Sequence, residues 1–451
     1  MDSEMLPRAR CRDLFERIEG LARRAGVGEV EVMMGASSEA LTRFANNAIH
    51  QNVAGEHRWV SVRVQEDGRT ARATTNRLDD GALEIAVAEA IALTRAAEPD
   101  PELLPLAGPV EIRPVDRADR ATADCTPASR ARLVAQAIGV VEEAALSAAG
   151  ICSTEESATA LLNSRGVFAY HSGTLARFSI TATGADSSGW AKASSVSLGA
   201  IDAATLARTA ARKADLSRAP REIAAGRYTV ILEPAAVLDL VGQMFADFSG
   251  TSVHDQRSFL TGRLGEKLFG ENISIADDVH HGLQDGAPFD GEGMARTRLA
   301  LVEAGTPRGL CYGRGSARRA GVEPTGHGLP LPNEAGEMAV NIVISGGDSS
   351  IERMIASTSR GILVTRFWYI REVDPYEKIM TGMTRDGTFL IEGGELVCGL
   401  RNFRFNQGLV EMLRRVEMLG EPVRASGEEA FDMVAPAMKV GEFHFSEVTR
   451  F

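Results

Sequence analysis

Apolar positions along the chain change their spacing many times, and each change predicts an element. Between Asp13 and Gly26, Leu14, Phe15, Ile18, Leu21 and Ala22 recur at helical intervals, and Gly26 ends the run. Gly81–Ala97 repeats the pattern through Ile85, Ala88, Ala92 and Leu93. Thr126–Ala149 opens on Thr126-Pro127, a pair suited to a first helical turn, and Asp202–Leu216 gives a fourth, alanine-rich helix. Between the helices the spacing shortens to that of strands: Glu29–Gly35, Leu41–Ala45, Trp59–Val64 and Arg69–Thr75, with turns at Asn46-Asn47 and Asp67-Gly68. A second set follows at Ile151–Leu162, Gly166–His171 and Ala176–Ala185, with turns at Asn163–Gly166 and Ser172-Gly173. Pro99–Pro114 is a proline-rich connector, and the small, polar Ser187–Val196 is expected to be a mobile loop.

Pro220–Gly226 marks a change of texture. Beyond it come a strand at Arg227–Leu232 and a helix at Pro234–Phe248, built on Val237, Leu238, Val241, Met244 and Phe245. A glycine-rich region follows, with short strands at Ser274–Ala276, Thr297–Glu303 and Met338–Ile344 and helices at Ser349–Ser359 and Leu409–Leu419. The expected class is α+β. A helix and antiparallel-sheet layered domain (1–224, connector near 99–125) precedes a β-rich domain (225–451), curved or barrel-like, with inserted helices.

Arg366–Asn406 concentrates short apolar runs separated by Asp374-Pro375, Asp386-Gly387 and Gly393-Gly394, the signature of a β-meander. Its polar residues are dense for a sheet: Arg366, Arg371, Thr384, Arg385, Asp386, Arg401, Asn402, Arg404 and Asn406. Arginines spaced along strands can grip carboxylates or peptide carbonyls by forked hydrogen bonds, or simply form a solvated face.

Composition narrows the options. A net charge of −12 over 451 residues argues against a general nucleic-acid or anionic-membrane binder, and no apolar run approaches a membrane span. Met1–Arg12 shows no apolar leader, and the five cysteines, isolated and odd in number, suit a reducing cytoplasm. Among the eight histidines no pair has zinc-helix spacing. Adjacent His280 and His281 lie near Asp277, Asp278 and Asp285 in a weak acidic cluster. Cys311 stands between Arg308 and Arg314, which could lower a thiol pKa, yet a half-buried strand cysteine explains it as well. Gly346-Gly347-Asp348-Ser349-Ser350 lacks the lysine of a phosphate loop, so Ser349 or Ser350 is expected to cap a helix with Glu352 in its first turn. Asp290 and Glu292 alternate with glycines in FDGEG (289–293), where a close backbone approach and a plain turn are both open.

Several stretches taken in order resemble the TldD/PmbA (TldE) family. They are TRFANNAIHQN (42–52), SVRV with DGRT (61–70), SFLTGRLGEKLFG (258–270), FDGEG (289–293), LVEAGTPRGLCYGRGSARRAG (301–321), PTGHG (324–328), GILVTRFW and DGTFLIEGGEL. The resemblance spans nearly the whole chain and implies that both domains are of the TldD/PmbA type. It implies zinc peptidases of TldD type, with a helical H-E-x-x-x-H motif and a downstream cysteine ligand, acting on small or unfolded peptides in a chamber between two subunits. It also implies PmbA/TldE-type partners without the metal motif. In this chain the corresponding helix, Pro234–Phe248, has Asp239, Leu240, Gln243 and Met244 around the expected motif, and no cysteine follows Gly420. The resemblance therefore implies a cytoplasmic, PmbA/TldE-like subunit with no cofactor of its own, zinc being carried by a TldD-type partner. The dimer would form with that partner or with a second copy, peptide would be the ligand, and no membrane or nucleic-acid contact is expected. Under this reading Arg366, Arg371, Thr384, Arg385, Asp386, Arg401, Asn402 and Arg404 bind substrate and no residue is catalytic. The alternatives are an autonomous hydrolase acting through Cys311 or the Asp277, His280 and Asp285 cluster, and a non-enzymatic regulator.

Overall fold

The computed structural model describes residues 3–449. After helix α1 (Arg8–Arg24), the strands β1 (Glu29–Ala45), β2 (Ala48–Glu66) and β3 (Arg69–Thr75) run into helix α2 (Asp80–Ala96). A short α3 (Arg120–Ala123) and a longer α4 (Pro127–Glu143) precede β4 (Ser147–Asn163), β5 (Phe168–Thr183), β6 (Ser188–Ser195) and α5 (Ala203–Leu216). The six strands form one sheet in the order β3-β2-β1-β4-β5-β6, and every pairing in it is antiparallel.

Alternation explains why the helices share one face. Val30, Val32, Met34 and Ala36 of β1 pack with Leu14 and Ile18 of α1 and Leu83 and Val87 of α2. Phe44, an even position further along the strand, packs with Val134 and Ile138 of α4 and Ala207 and Ala210 of α5. The opposite face meets the second half through Leu161, Val167 and Phe289.

The second half contains β7 (Gly226–Leu232), α6 (Pro234–Val241), α7 (Gly250–His254), β8 (Ile275–Asp277), β9 (Leu299–Glu303), β10 (Thr306–Pro307), α8 (Arg314–Ala320), β11 (Ile342–Ile344) and α9 (Ile351–Ala356). These are followed by β12 (Arg360–Asp374), β13 (Ile379–Glu392), β14 (Glu395–Gly399), β15 (Phe403–Gly408), α10 (Leu409–Arg414), β16 (Val416–Leu419), β17 (Val423–Ala425), β18 (Met433–Ala435) and β19 (Met438–Val448). Strands β12, β7, β19, β15 and β13 pair in turn, and β13 pairs back onto β12, which closes a five-stranded barrel. Phe367, Phe403, Phe405, Phe443 and Phe445 belong to its core; the Phe367–Phe405 and Phe403–Phe445 ring centroids are each 4.8 Å apart. A smaller sheet, β10-β9-β8-β11-β18-β17, lies beside it. Among the described residues no helix is long and apolar enough to cross a membrane.

The observed elements correct several expectations. Ser187–Val196 is not a loop: Ser188–Ser195 is an edge strand. Its small residues serve packing, since any Cβ at Gly189 would lie 2.2 Å from the Ala210 carbonyl oxygen of α5. Glu29–Gly35 and Leu41–Ala45 are one strand because β2 and β4 pair with it on both sides through its polar residues, and Gly166–His171 joins Ala176–Ala185 because β4 pairs along 168–183 without a break. The helix expected at Leu409–Leu419 ends at Arg414, and Val416–Leu419 pairs with β19 instead. The helix expected at Thr126–Ala149 ends at Glu143, where Ala145, at φ 55°, turns the chain into β4.

Candidate functional site

Helix α6 starts from Pro234 and is apolar on almost every side, so it runs buried against the barrel. At Gly242 the backbone tightens into 3-10 geometry through Phe248. A Cβ at Gly242 would lie 2.3 Å from the Ala430 side chain, so this glycine lets the 427–430 segment close onto the helix. Asp239, fully buried, secures that closure. Its Oδ1 accepts the backbone N–H groups of Glu428 and Glu429, each at 3.1 Å, and its Oδ2 accepts that of Phe367 at 3.1 Å. Burial pushes the Asp239 carboxyl up to about 6, against those three donors and the nearby Arg366 charge. Gln243 Nε2 donates to the carbonyl oxygens of Asp239 (3.2 Å) and Glu429 (3.0 Å). Glu429 in turn accepts the N–H groups of Tyr369 (2.8 Å) and Ile370 (3.1 Å).

That last pair shapes β12. The β12–β13 register slips between Trp368 and Arg371, and Tyr369 sits at φ 59°, so its ring projects to solvent. Beyond the bulge lies a cleft of about 460 Å³ lined by Trp368, Tyr369, Met383, Thr384, Arg385, Asp386, Asn402 and Arg404. Trp368, Met383 and Arg404 form one cross-strand row, and Arg366 with Arg385 the next. Arg366 is buried behind the cleft and pairs with Asp386, which also accepts Ser188 Oγ at 2.9 Å. Its guanidinium lies 4.9 Å from the Trp190 ring centroid and 5.4 Å from that of Trp368, while Arg385 lies 4.9 Å from the outer Trp368 ring. Thr384 and Thr388 hydroxyls both reach Asn402 Oδ1 at 3.2 Å, which fixes that side chain at the junction with a second hollow lined by Ser188, Asp386, Arg401 and Asn402.

Of the eight residues singled out in the sequence, five therefore line the main cleft, Arg401 faces the adjoining hollow, and Arg366 braces the wall from behind. Arg371 lies off the cleft, with its guanidinium 4.4 Å from the Tyr369 ring centroid. Sequence reasoning missed Trp190, Ser188 and Glu429. The signal for the first two was a lone tryptophan alternating with small residues in a stretch taken for a loop.

The other candidates fall apart as sites. Asp277 is buried, and its Oδ2 accepts the Val340 and Asn341 N–H groups at 2.7 and 2.9 Å. Burial would raise its carboxyl, yet the His327 ring (Nε2 3.3 Å away), the Arg296 charge and the Asn341 N–H together outweigh that and hold it down at about 2. His280 donates its N–H to Asp278, and Asp285 accepts Arg424 Nη2 at 2.7 Å, so Asp277, His280 and Asp285 do not share a site. Burial pushes the Cys311 thiol well above its ordinary value, which makes it a poor nucleophile. Ser350 caps α9 by accepting the Arg353 N–H at 3.2 Å.

The FDGEG acids are structural and buried. Asp290 Oδ1 accepts the Glu292 and Met294 N–H groups at 2.9 Å each. Glu292 accepts the Arg314 N–H at 2.9 Å, and burial, with a lesser push from Asp290, raises its carboxyl to about 7. A folded-state pKa raised from 4.5 means the native state holds this proton longer than the unfolded chain does. Its stabilising contribution is complete below pH 4.5 and is lost as pH rises through 7. The neutral variant Glu292→Gln lacks that loss, so between pH 4.5 and pH 8 the stability difference should move in its favour by up to about 3 kcal/mol. Urea unfolding of both proteins at the two pH values measures it; parallel pH profiles would contradict the burial argument.

With the fold and these sites described, the chain can be placed among metallopeptidase-type scaffolds. Three domain models of one family match it in order: PmbA/TldA metallopeptidase domain 1 over residues 30–94, the central domain over 118–218 and the C-terminal domain over 225–447. The chain belongs to the PmbA/TldD family. It is 39% identical over 103 residues to a protein of Methanocaldococcus jannaschii, a match covering 22% of this chain and 24% of that protein. It is 25% identical over 231 residues to "Metalloprotease PmbA" of Escherichia coli O157:H7 (50% of this chain, 48% of the relative). A "Metalloprotease" of Methanothermobacter thermautotrophicus is 24% identical over 440 residues, 91% of this chain and 90% of its own length. The first two matches thus span half or less of those relatives. In fold, the chain is similar to the crystal structure of TldE from Thermococcus kodakarensis, with a TM-score of 0.87 and 20% identity over 95% of this chain and 100% of that one.

The family raises the question of a metal. Among the described residues no group of three or more His, Cys, Asp or Glu side chains is arranged to hold one. At α6 the donors do not fit zinc: Leu240 and Met244 are packed in the apolar core, and both Asp239 oxygens already accept backbone N–H groups. No step through a metal is derived for this chain.

Proposed function

We propose that this chain is the TldE-like, non-zinc subunit of a TldD/TldE-type metallopeptidase system, and that it holds short or unfolded peptides rather than cutting them. The observation that carries the reading is Asp239. Where the resemblance places the metal helix of the peptidase subunit, this chain uses the Asp239 carboxylate to accept backbone N–H groups of the 427–429 segment and of Phe367. The clamp, extended by Glu429, supports the bulge from which Trp368 and Tyr369 face the cleft. The cleft residues would then act on peptide carbonyls and carboxylates through Arg385, Arg404 and Asn402. A TldD-type subunit is the proposed partner, with zinc on its side of the chamber. The alternatives weighed from sequence gain no support from Cys311, which is buried, nor from Asp277, His280 and Asp285, which stand apart.

The reading is tested by assaying peptide cleavage by the purified chain alone and after mixing with an H-E-x-x-x-H subunit from the same source. Cleavage only in the mixture, with the two chains co-eluting, is expected. Equal cleavage by the lone chain contradicts it.

A further inference from the structure

The cleft over β12, β13 and β15 has two arginines in its lining, Arg385 and Arg404. Asp386 is its one lining carboxylate, and it is shared between Arg366 and Arg385, the latter 3.6 Å away. Arg404 has no carboxylate within ion-pair distance among the described residues, although the whole chain carries a net charge of −12. Two guanidinium groups, Arg385 and Arg404, thus line the cleft with one carboxylate, while Arg366 stands behind the wall and Glu447 lies opposite Arg404 in the β15–β19 register. Arg366 and Arg385 are also held in place: Trp190, Arg366, Trp368 and Arg385 stack in alternation, at 4.9, 5.4 and 4.9 Å between guanidinium and ring centre. Guanidinium groups lining a cleft, as Arg385 and Arg404 do, favour a planar anion that accepts two hydrogen bonds at once, which is the geometry of a carboxylate.

The other wall has a different chemistry. Trp368, Tyr369 and Met383 line it with ring carbons and a thioether, a surface that takes an aromatic or large apolar side chain. Cross-strand register puts Met383 directly between Trp368 and Arg404, so the apolar wall runs into the cationic one within three adjacent strands. At about 460 Å³ the cleft has room for one such side chain with its main-chain carboxylate.

We infer that this cleft is an anchoring site for the C-terminal end of a peptide. The terminal carboxylate lies on Arg385 and Arg404, and the last side chain, aromatic or large and apolar, lies on Trp368, Tyr369 and Met383. The inference deepens the peptide-holding reading above and rests on it. It adds that the chain recognises a free peptide end, with a preference for its last residue, rather than an internal strand alone.

Isothermal titration of the full chain with matched hexapeptides tests this. One ends in phenylalanine with a free carboxylate, a second is its C-terminal amide, and a third is the free acid ending in alanine. The phenylalanine acid is expected to bind at least about tenfold more tightly than either of the others, since a charge-assisted forked contact and a ring contact are each lost in one of them. Arg404→Ala, an exposed position, is expected to erase the difference between acid and amide. Equal binding of acid and amide overturns the anchoring site and leaves peptide holding intact. Failure of all three peptides to bind overturns the peptide-holding reading, and the anchoring site with it.

Discussion

Glu337→Ala is expected to lower the unfolding free energy by about 4 kcal/mol. Glu337 is buried and accepts four hydrogen bonds from two separate segments. Oε1 takes the Ser249 hydroxyl and the Thr251 N–H, each at 2.7 Å. Oε2 takes the Gly313 N–H at 3.1 Å and the Ser316 hydroxyl at 2.6 Å. This one side chain therefore ties the start of α7 to the start of α8. Alanine would leave two backbone donors without acceptors in a buried junction, each costing about 1–3 kcal/mol. Glu337→Gln keeps the volume and the Ser249 and Thr251 contacts but turns an amide N–H₂ toward the Gly313 N–H, so roughly half the loss is expected. Urea titration with an unchanged slope and a lower midpoint reads the effect. A loss under about 1 kcal/mol for the alanine variant would show that water replaces the carboxylate at no great cost.

Asp239→Ala should rank second, at about 3 kcal/mol, and should also have a local signature. Three backbone donors lose their acceptor: Phe367, Glu428 and Glu429. The loss is smaller than a count of bonds suggests, because burying the Asp239 carboxyl is itself unfavourable, as its upward shift to about 6 shows. The local signature is the release of the 427–429 segment and, through Glu429, of the Tyr369 bulge. Hydrogen exchange at Phe367, Tyr369, Ile370, Glu428 and Glu429 should accelerate well beyond the global change in stability. Unchanged exchange at these amides would refute the clamp. The expected companion is weaker peptide binding, because the bulge that presents Trp368 and Tyr369 loses its support.

How far the sequence could carry this picture differs by element. Helices α1 and α5 were legible because one face is buried and the other solvated, so the period survives in the residues; α2 was legible as a helix but its face was not, since Ile85, Ala88, Ala92 and Leu93 are exposed and Leu83, Ala86, Val87, Ala90 and Ile91 turn to the sheet. Strand lengths were not legible, because β1 pairs along most of its length with both β2 and β4, and two neighbours hold the backbone extended whatever the side chains. Val416–Leu419 follows a helix with helical spacing and becomes a strand only because Met438–Val440 offers it a ladder. The barrel closure depends on β12 meeting β13 across one side and β7 across the other, a long-range fact that no local pattern contains. At the candidate site, density of charge pointed to Arg385, Asp386, Asn402 and Arg404, which share a cleft. It could not reveal that Arg366 stands behind the wall, or that its partner Trp190 arrives from the first half of the chain. Nor could it show that the residues at the helix of the expected metal motif act as a clamp, since Asp239 acquires that role from a segment almost two hundred residues away.

The central claim is that this member of the PmbA/TldD family holds peptide without a metal of its own. Zinc content of the purified full-length chain, measured by plasma mass spectrometry after dialysis against zinc and then against metal-free buffer, tests it most directly. Far less than one zinc per chain is expected, with no peptide cleavage in the same sample. One tightly held zinc per chain, together with cleavage that a chelator abolishes, would contradict it.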